Sequence, residues 1–341
     1  MTAQALDVTQ LPPAEMERAY LEYRKACYDI VYRNCLERGV MDHFSGPITF
    51  GDFVRKLPVA SNKLGAAQLL LDALVKYGAL DRLGGDEVRY QAREAVPDPD
   101  LDEHLIEVAT GKRSVQELRH AENYVGIINA LSTAGNPVSA SFDGQHLGIW
   151  DEVLQAPFYR YSRVQAVREI TASGNRMVDF ACGPGFGLAE IADSVPSGPG
   201  RTILGVEISP DFVAAASARN AADPDVYVMR SDLERPLAFL EPGFFDGAMI
   251  VGAYHFLRDK AVLWDSAQRL LRSGGVFCVA YALSKMGTYD QQIMDLRFSL
   301  REPATYQPSR DDVLRLAADH GMTLRHEFGL GAWRWYSFQK D

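Results

Sequence analysis

Hydrophobic residues in the first part of the chain recur every three or four positions, a spacing typical of amphipathic helices. The pattern predicts a long helix over residues 13–39 and two shorter helices over 48–57 and 61–77. Two short strands are predicted next, at 79–83 and 88–91, because a pair of glycines separates them as in a tight turn. The order helix, helix, hairpin predicts a winged-helix-like domain.

The spacing of hydrophobic residues changes near residue 175. From residue 176 onward, apolar runs of four to six residues alternate with helical segments, which predicts a parallel sheet covered by helices on both faces. The predicted fold class is α/β, with a Rossmann-like doubly wound domain preceded by a mainly helical, winged-helix-like domain. We expect the helical domain at 1–113, a helical connector that contributes to a pocket at 114–174, and the doubly wound domain at 175–341.

The composition is that of an ordinary globular protein, with 47% hydrophobic and 23% charged residues among 341. A formal net charge of −10 disfavours a broad attraction to nucleic acid or to anionic membranes. Residues 12–95 contain twelve basic and twelve acidic residues, and the predicted helix at 61–77 is mostly apolar. We therefore expect the first domain to pack against protein and not to bind nucleic acid.

The cysteines and histidines give no sign of a metal site. The four cysteines, at positions 27, 35, 182 and 278, form no C-x-x-C pair, and no histidine stands near them at a zinc-ligand spacing. The apolar runs are far shorter than the roughly 20 residues of a membrane span, and residues 1–13 lack the features of a secretion signal. We expect a cytoplasmic protein with reduced cysteines, no metal and no membrane contact.

A glycine-rich turn follows the first strand of the doubly wound domain, in Asp179-Phe180-Ala181-Cys182-Gly183-Pro184-Gly185. Open α/β sheets bind ligands at such turns, because the backbone can approach the ligand closely there. Glu207 ends the next strand, where a carboxylate can accept hydrogen bonds from both hydroxyls of a ribose. Leu188 stands where a dinucleotide motif needs glycine or alanine, so the sequence favours a nucleoside without a pyrophosphate.

This segment resembles motif I of class I S-adenosylmethionine-dependent methyltransferases, in which an acidic residue precedes a G-x-G-x-G turn. Ala181 stands where the family usually has the first glycine. Ser231-Asp232-Leu233 resembles the family's contact with the adenine edge, and residues 270–275 precede the fifth strand as in this family. The resemblance implies S-adenosyl-L-methionine as the cofactor. The residues it implies as cofactor contacts are Asp179, Ala181, Cys182, Gly183, Gly185, Glu207, Ile208, Ser231, Asp232, Leu233, Gly252 and Tyr161.

The first domain resembles the dimerisation domain of small-molecule O-methyltransferases of the caffeate type, over residues 37–42, 74–80 and the hairpin that follows. This resemblance implies a homodimer formed through the N-terminal domain. It also implies that His255 is the catalytic base, although the Asp-Trp that follows the family's histidine is replaced by Phe256-Leu257. The residues implied as acceptor contacts are Tyr159, Arg160, Tyr254, Met294, Arg297 and Phe298.

The expected activity is methyl transfer from S-adenosylmethionine to a small phenolic or aromatic acceptor, on oxygen or on a ring carbon, in specialised metabolism. Histidine titrates near neutral pH and can remove a phenolic proton there. Four alternatives stay open. In the first, His255 only lines the pocket. In the second, the acceptor is a hydroxylated aromatic amino acid that is methylated on carbon, and an arginine (160, 163, 297 or 301) binds its carboxylate. In the third, the fold binds the cofactor without transferring methyl, and in the fourth the protein is a winged-helix regulator that senses a small ligand.

Overall fold

The computed structural model describes residues 7–96, 98–121, 126–132, 141–301 and 305–341. Its helices are α1 (Pro13–Glu37), α2 (Phe50–Lys56), α3 (Leu64–Tyr77), α4 (Glu103–Thr110), α5 (Val115–Ala121), α6 (Ile127–Leu131), α7 (Leu147–Gln155), α8 (Pro157–Thr171), α9 (Phe186–Ser194), α10 (Pro210–Arg219), α11 (Lys260–Leu270), α12 (Gln291–Ser299) and α13 (Arg310–Asp319). Its strands are β1 (Ile48–Thr49), β2 (Leu80–Leu83), β3 (Arg89–Ala92), β4 (Arg176–Phe180), β5 (Thr202–Glu207), β6 (Val226–Arg230), β7 (Phe245–Val251), β8 (Leu271–Ala282), β9 (Met322–Leu330) and β10 (Trp333–Lys340).

The chain forms two compact units, here called the α/β unit and the helical unit. The α/β unit comprises Met1–Pro13, Ala140–Met286 and Tyr306–Asp341, and the helical unit comprises Ala14–Ser139 and Gly287–Thr305. These limits do not coincide with the expected limits at residues 113 and 174. Helices α7 and α8 belong to the α/β unit because α8 packs on β7 and β8, whereas α12 belongs to the helical unit because it packs on α3.

The helical unit contains the predicted long helix and the predicted antiparallel hairpin. Strands β2 and β3 pair with Leu80 opposite Ala92, and Gly78, with a φ of 91°, ends α3 in the left-handed conformation. The predicted helix at 48–57 begins at Phe50, because Ile48 and Thr49 pair with β3 as strand β1. A winged helix and a role in dimerisation remain predictions for this unit.

A seven-stranded sheet forms the centre of the α/β unit, in the order β6-β5-β4-β7-β8-β10-β9. Strands β4 to β8 are parallel, which confirms the predicted parallel sheet, and β9 and β10 add an antiparallel edge. The sheet is covered on both faces, since Val178 and Phe180 pack in one apolar cluster and Met177 in another. The strand order reverses at β4, so the carboxyl ends of β4, β5 and β7 define a binding crevice.

Candidate functional site

The turn between β4 and α9 brings its backbone unusually close to helix α10. Gly183 and Gly185 have φ values of 56° and 89°, a left-handed conformation that glycine adopts freely. A Cβ atom at Gly185 would lie 2.7 Å from Asn220 Nδ2 and 2.8 Å from Ala216 Cα. The Asn220 amide also donates to the Gly185 carbonyl at 3.2 Å. Gly185 is therefore required by packing as well as by backbone conformation, whereas Gly183 is required by its backbone conformation.

Ala181 occupies the first glycine position of the turn and is itself left-handed, with a φ of 53°. This conformation costs a residue with a Cβ roughly 1–2 kcal/mol. We expect Ala181→Gly to raise the free energy of unfolding by about 0.5 kcal/mol, since relief of that strain exceeds the added entropy of the unfolded chain. Chemical denaturation measures the change. Ala189→Gly in α9 is the control and should lose about 1 kcal/mol; an equal loss at Ala181 would argue against strain there.

Two buried carboxylates face the glycine-rich turn. Glu207 is 6% exposed, and its Oε2 accepts a hydrogen bond from the Gly183 amide at 3.0 Å. Its Oε1 accepts from the amides of Ile208 and Ser209 at 2.8 and 2.9 Å. Asp179 packs against Gly187, where a Cβ atom would lie 2.3 Å from Asp179 Oδ2. The Glu207 side chain thus joins the end of β5 to the turn after β4.

Burial controls the protonation of both carboxylates. It raises the pKa of Glu207 above its ordinary value, against the opposing effect of the three backbone amides. Burial also raises the pKa of Asp179 well above its ordinary value, although the positive charge of Arg163 opposes this shift. The crevice therefore contains acidic groups that gain protons more readily than exposed carboxylates do.

Ser231-Asp232-Leu233, predicted to contact adenine, follows β6, and the predicted cofactor contact Ile208 follows β5 at the same edge of the sheet. Ile208 is 54% exposed beside the buried Glu207, so its side chain offers an apolar surface at the crevice. The Ser231 amide donates to the Glu207 carbonyl at 2.9 Å, and Asp232 accepts from the Glu234 amide at 2.9 Å. Leu233 is buried in the apolar core. The Ser231–Glu207 hydrogen bond thereby joins the segments that follow β5 and β6 and that carry these four predicted residues.

His255 lies in a short 3₁₀ turn, Tyr254–Phe256, after the carboxyl end of β7. It is 1% exposed, and its ring centroid lies 4.3 Å from that of Phe256. Phe142 in turn packs edge-on against Phe256 and Phe212, at 5.0 and 6.2 Å between centroids. Phe256 packs beside the imidazole and Phe142 packs on Phe256, and these two rings are here called the aromatic cover. Tyr254 is also buried, and its hydroxyl accepts a hydrogen bond from Trp264 Nε1 at 2.8 Å.

Aromatic rings also border Gly252, the residue that follows the last residue of β7, Val251. A Cβ atom at Gly252 would lie 3.6 Å from the rings of both Tyr159 and Trp333, and those rings meet edge-on at 5.1 Å between centroids. The sequence predicts Tyr159 as an acceptor contact but does not indicate Trp333, which begins β10. The arrangement provides an aromatic wall, Tyr159 and Trp333, at the carboxyl end of β7.

Two arginines near this wall differ in how closely they bind Glu190 of the α/β unit. Arg163 binds Glu190 with two nitrogens, each at 2.9 Å, and donates to the Leu154 carbonyl at 2.6 Å. It is therefore committed to the fold and does not fit the expectation of a carboxylate partner for an amino-acid acceptor. Arg160 is half-exposed and lies 3.9 Å from Glu190, so it stays accessible to a ligand.

The remaining predicted contacts are Tyr161, Cys182 and three residues of α12. The Tyr161 ring is buried, and its hydroxyl donates to the Leu11 carbonyl at 3.3 Å. Met294, Arg297 and Phe298 lie on α12 of the helical unit, whereas the other predicted acceptor contacts lie in the α/β unit. Cys182 is buried within the turn.

Among the described residues, no group of three or more His, Cys, Asp or Glu side chains could hold a metal ion, and no helix has the length and apolar character to cross a membrane.

Comparison with known proteins identifies a family for one part of the chain. Residues 178–279 match the family model described as a methyltransferase domain. No curated protein matches the sequence. The resemblance to caffeate-type enzymes is not confirmed by any of these comparisons.

Solved structures similar in fold include three carbon methyltransferases. The DszA carbon methyltransferase has a TM-score of 0.71 at 14% identity, with 100% of this chain and 96% of that chain covered. The CurJ carbon methyltransferase has a TM-score of 0.68 at 14% identity, covering 98% and 95%. The CMeT domain of the citrinin polyketide synthase has a TM-score of 0.68 at 12% identity, covering 93% and 88%. Residues 178–279 thus form a class I S-adenosylmethionine-dependent methyltransferase domain, and the protein is a methyltransferase that uses this cofactor.

Proposed function

We propose that the protein methylates a small acceptor that becomes nucleophilic when it loses a proton, namely an enolisable carbonyl compound or a phenol of specialised metabolism. The observation that carries the proposal is the position of His255, a buried imidazole at the carboxyl end of β7. This strand neighbours β4, whose carboxyl end leads into the glycine-rich turn. The base and the cofactor crevice therefore lie at one edge of one sheet.

The crevice fits the nucleoside part of S-adenosylmethionine. Glu207 would accept hydrogen bonds from the ribose hydroxyls, and Ile208 with Ser231-Asp232-Leu233 would border the adenine. The turn from Ala181 to Gly185 would place backbone, free of bulky side chains, against the cofactor. A carboxylate offers about four acceptor sites, of which the backbone amides already use three, so the ribose must share or displace an amide.

The bound cofactor supplies a methyl group that is already electrophilic, so the protein has to orient the acceptor and remove its proton. His255 would take that proton. Loss of the proton makes two atoms of the acceptor nucleophilic. One is the oxygen of the enol or phenol, and the other is the carbon adjacent to the oxygen-bearing carbon. The cover formed by Phe142 and Phe256 has to shift for an acceptor to reach the imidazole, and afterwards it would keep water away from the reaction.

We place carbon methylation first, because the fold is shared over nearly the whole chain with carbon methyltransferases. The aromatic wall of Tyr159 and Trp333 favours O-methylation of a phenol as the second candidate, since flat rings stack on such surfaces.

Incubation with methyl-labelled cofactor and either the acetoacetyl thioester of N-acetylcysteamine or a panel of catechols separates the two reactions. Mass spectrometry detects the added methyl, and NMR assigns it to carbon or oxygen. Transfer to neither class of probe would contradict the proposal.

The affinity for S-adenosylmethionine is expected to fall as the pH drops, beginning at a higher pH than an ordinary glutamate would give. Because burial raises the pKa of Glu207, the carboxyl gains its proton earlier on acidification and then loses accepting capacity for the ribose. Calorimetric titration between about pH 8 and about pH 5 measures the effect. Glu207→Gln gains no proton at this position and should lose much of the pH dependence. A wild-type affinity that is constant over this range would contradict the assignment.

A further inference from the structure

We propose that Lys260 is a positioning residue for His255, because the ammonium group of Lys260 holds in place the turn that carries the imidazole. The inference rests on the proposed role of His255 as the base, and it adds a side chain that acts through the backbone of the site. Its evidence is a continuous set of hydrogen bonds within the α/β unit.

Lys260 binds both chain segments that hold the backbone of His255. Its Nζ lies 2.6 Å from the carbonyl oxygen of Leu257, the residue after the 3₁₀ turn, and 2.6 Å from that of Tyr306. The amide of Tyr306 donates to the carbonyl oxygen of His255 at 2.7 Å. Loss of the ammonium group would therefore release the turn on one side and the segment at Tyr306 on the other.

The chemistry of Lys260 indicates that hydrogen bonding, and not packing alone, is its contribution. The residue is 9% exposed, and Nζ lies 5.3 Å from the ring centroid of Tyr254, the neighbour of His255. Burial lowers the pKa of Lys260 to about 8, although the charges of Glu234, Asp259 and Asp312 oppose this shift. A buried ammonium is costly, and an apolar side chain of similar length would fill the space at less cost. The two charge-assisted bonds to carbonyl oxygens offset that cost.

Lys340 offers a matched control. Its Nζ also donates to two backbone carbonyls, those of Gln268 at 2.6 Å and Leu271 at 2.8 Å. Leu271 pairs with Phe245 at the amino end of β7, at the opposite edge of the sheet from His255. Lys340→Met thus removes an equivalent pair of bonds without touching the turn.

The test compares the full-length wild type with Lys260→Met, Lys260→Arg and Lys340→Met, each labelled with ¹³C at histidine Cε1. The chain has seven histidines, and the signal missing from His255→Gln identifies His255. We expect Lys260→Met to shift or broaden the His255 signal, Lys260→Arg to restore it at least in part, and Lys340→Met to leave it unchanged. A wild-type His255 signal in Lys260→Met would overturn the proposal.

Turnover then separates this inference from the proposed function. With the acetoacetyl thioester of N-acetylcysteamine as acceptor, we expect Lys260→Met to lower kcat about 10- to 100-fold, the scale of a misplaced catalytic group. KM and the affinity for S-adenosylmethionine should stay within about twofold, well below the tenfold that corresponds to 1.4 kcal/mol. A shifted His255 signal with unchanged kcat overturns the positioning role in catalysis. Wild-type turnover in His255→Gln contradicts the proposed function instead, while the NMR comparison still tests the contact.

Discussion

Glu207→Gln is expected to weaken the binding of S-adenosylmethionine by roughly 100- to 1,000-fold, or about 3–4 kcal/mol. Two hydrogen bonds to a charged acceptor contribute about 3–6 kcal/mol, and the glutamine oxygen keeps part of that contribution. The glutamine amide keeps the size of the side chain but removes its charge and half of its accepting capacity. Isothermal titration calorimetry measures the loss directly. An affinity within about threefold of wild type, less than 1 kcal/mol, would refute the assignment of Glu207 to the ribose.

The same substitution also disturbs the turn, and a control has to separate the two effects. The Glu207 carboxylate accepts from the amides of Gly183, Ile208 and Ser209, so a glutamine NH₂ must face at least one amide donor. Asp246 is the matched carboxylate, since it accepts from the amides of Asn175 and Arg176, both at 3.0 Å. These residues lie at the amino edge of the sheet. Asp246→Asn should therefore lower the melting temperature while leaving the affinity for the cofactor unchanged.

The elements that form the proposed cofactor crevice could be predicted from sequence because their signals are local. The apolar run of β4, the glycines at 183 and 185 and the acid at the end of β5 all lie in short segments whose patterns have a direct physical cause. The positive φ of Ala181 agrees with the interpretation of this residue as a substitute for a glycine. Local spacing was sufficient here, since parallel strands bring their carboxyl ends to one edge.

The acceptor side could not be predicted in the same way, because it is assembled from distant segments. Trp333 meets Tyr159 only because β10 pairs with β8 as an antiparallel strand. The edge strand β9 beside it is largely exposed, so it lacks the apolar pattern that identifies a strand. The engagement of Arg163 with Glu190 likewise depends on the packing of α8 against α9, which the spacing of charges along α8 does not reveal.

His255→Gln is expected to lower kcat by about 100- to 10,000-fold, the range that a positioned general base contributes, while the affinity for S-adenosylmethionine stays unchanged. His255 follows β7, whereas the residues that would hold the nucleoside follow β4, β5 and β6. The substitution should therefore leave the cofactor crevice intact. Calorimetry with the cofactor and single-turnover transfer of labelled methyl to the acceptor measure the two effects separately. His320→Gln is the control, since His320 pairs with Asp265 at 3.2 Å outside the site and should not affect transfer.

The pH dependence of this deficit distinguishes a base from a histidine that only lines the pocket. As the pH approaches the acceptor's own pKa, a growing fraction of the acceptor is already deprotonated and needs no base. The rate of His255→Gln should therefore rise with pH toward that of wild type. A pocket-lining role would instead give a deficit that is independent of pH, because lost packing does not depend on the ionisation of the acceptor. A variant as active as wild type at neutral pH would remove His255 from the chemistry altogether.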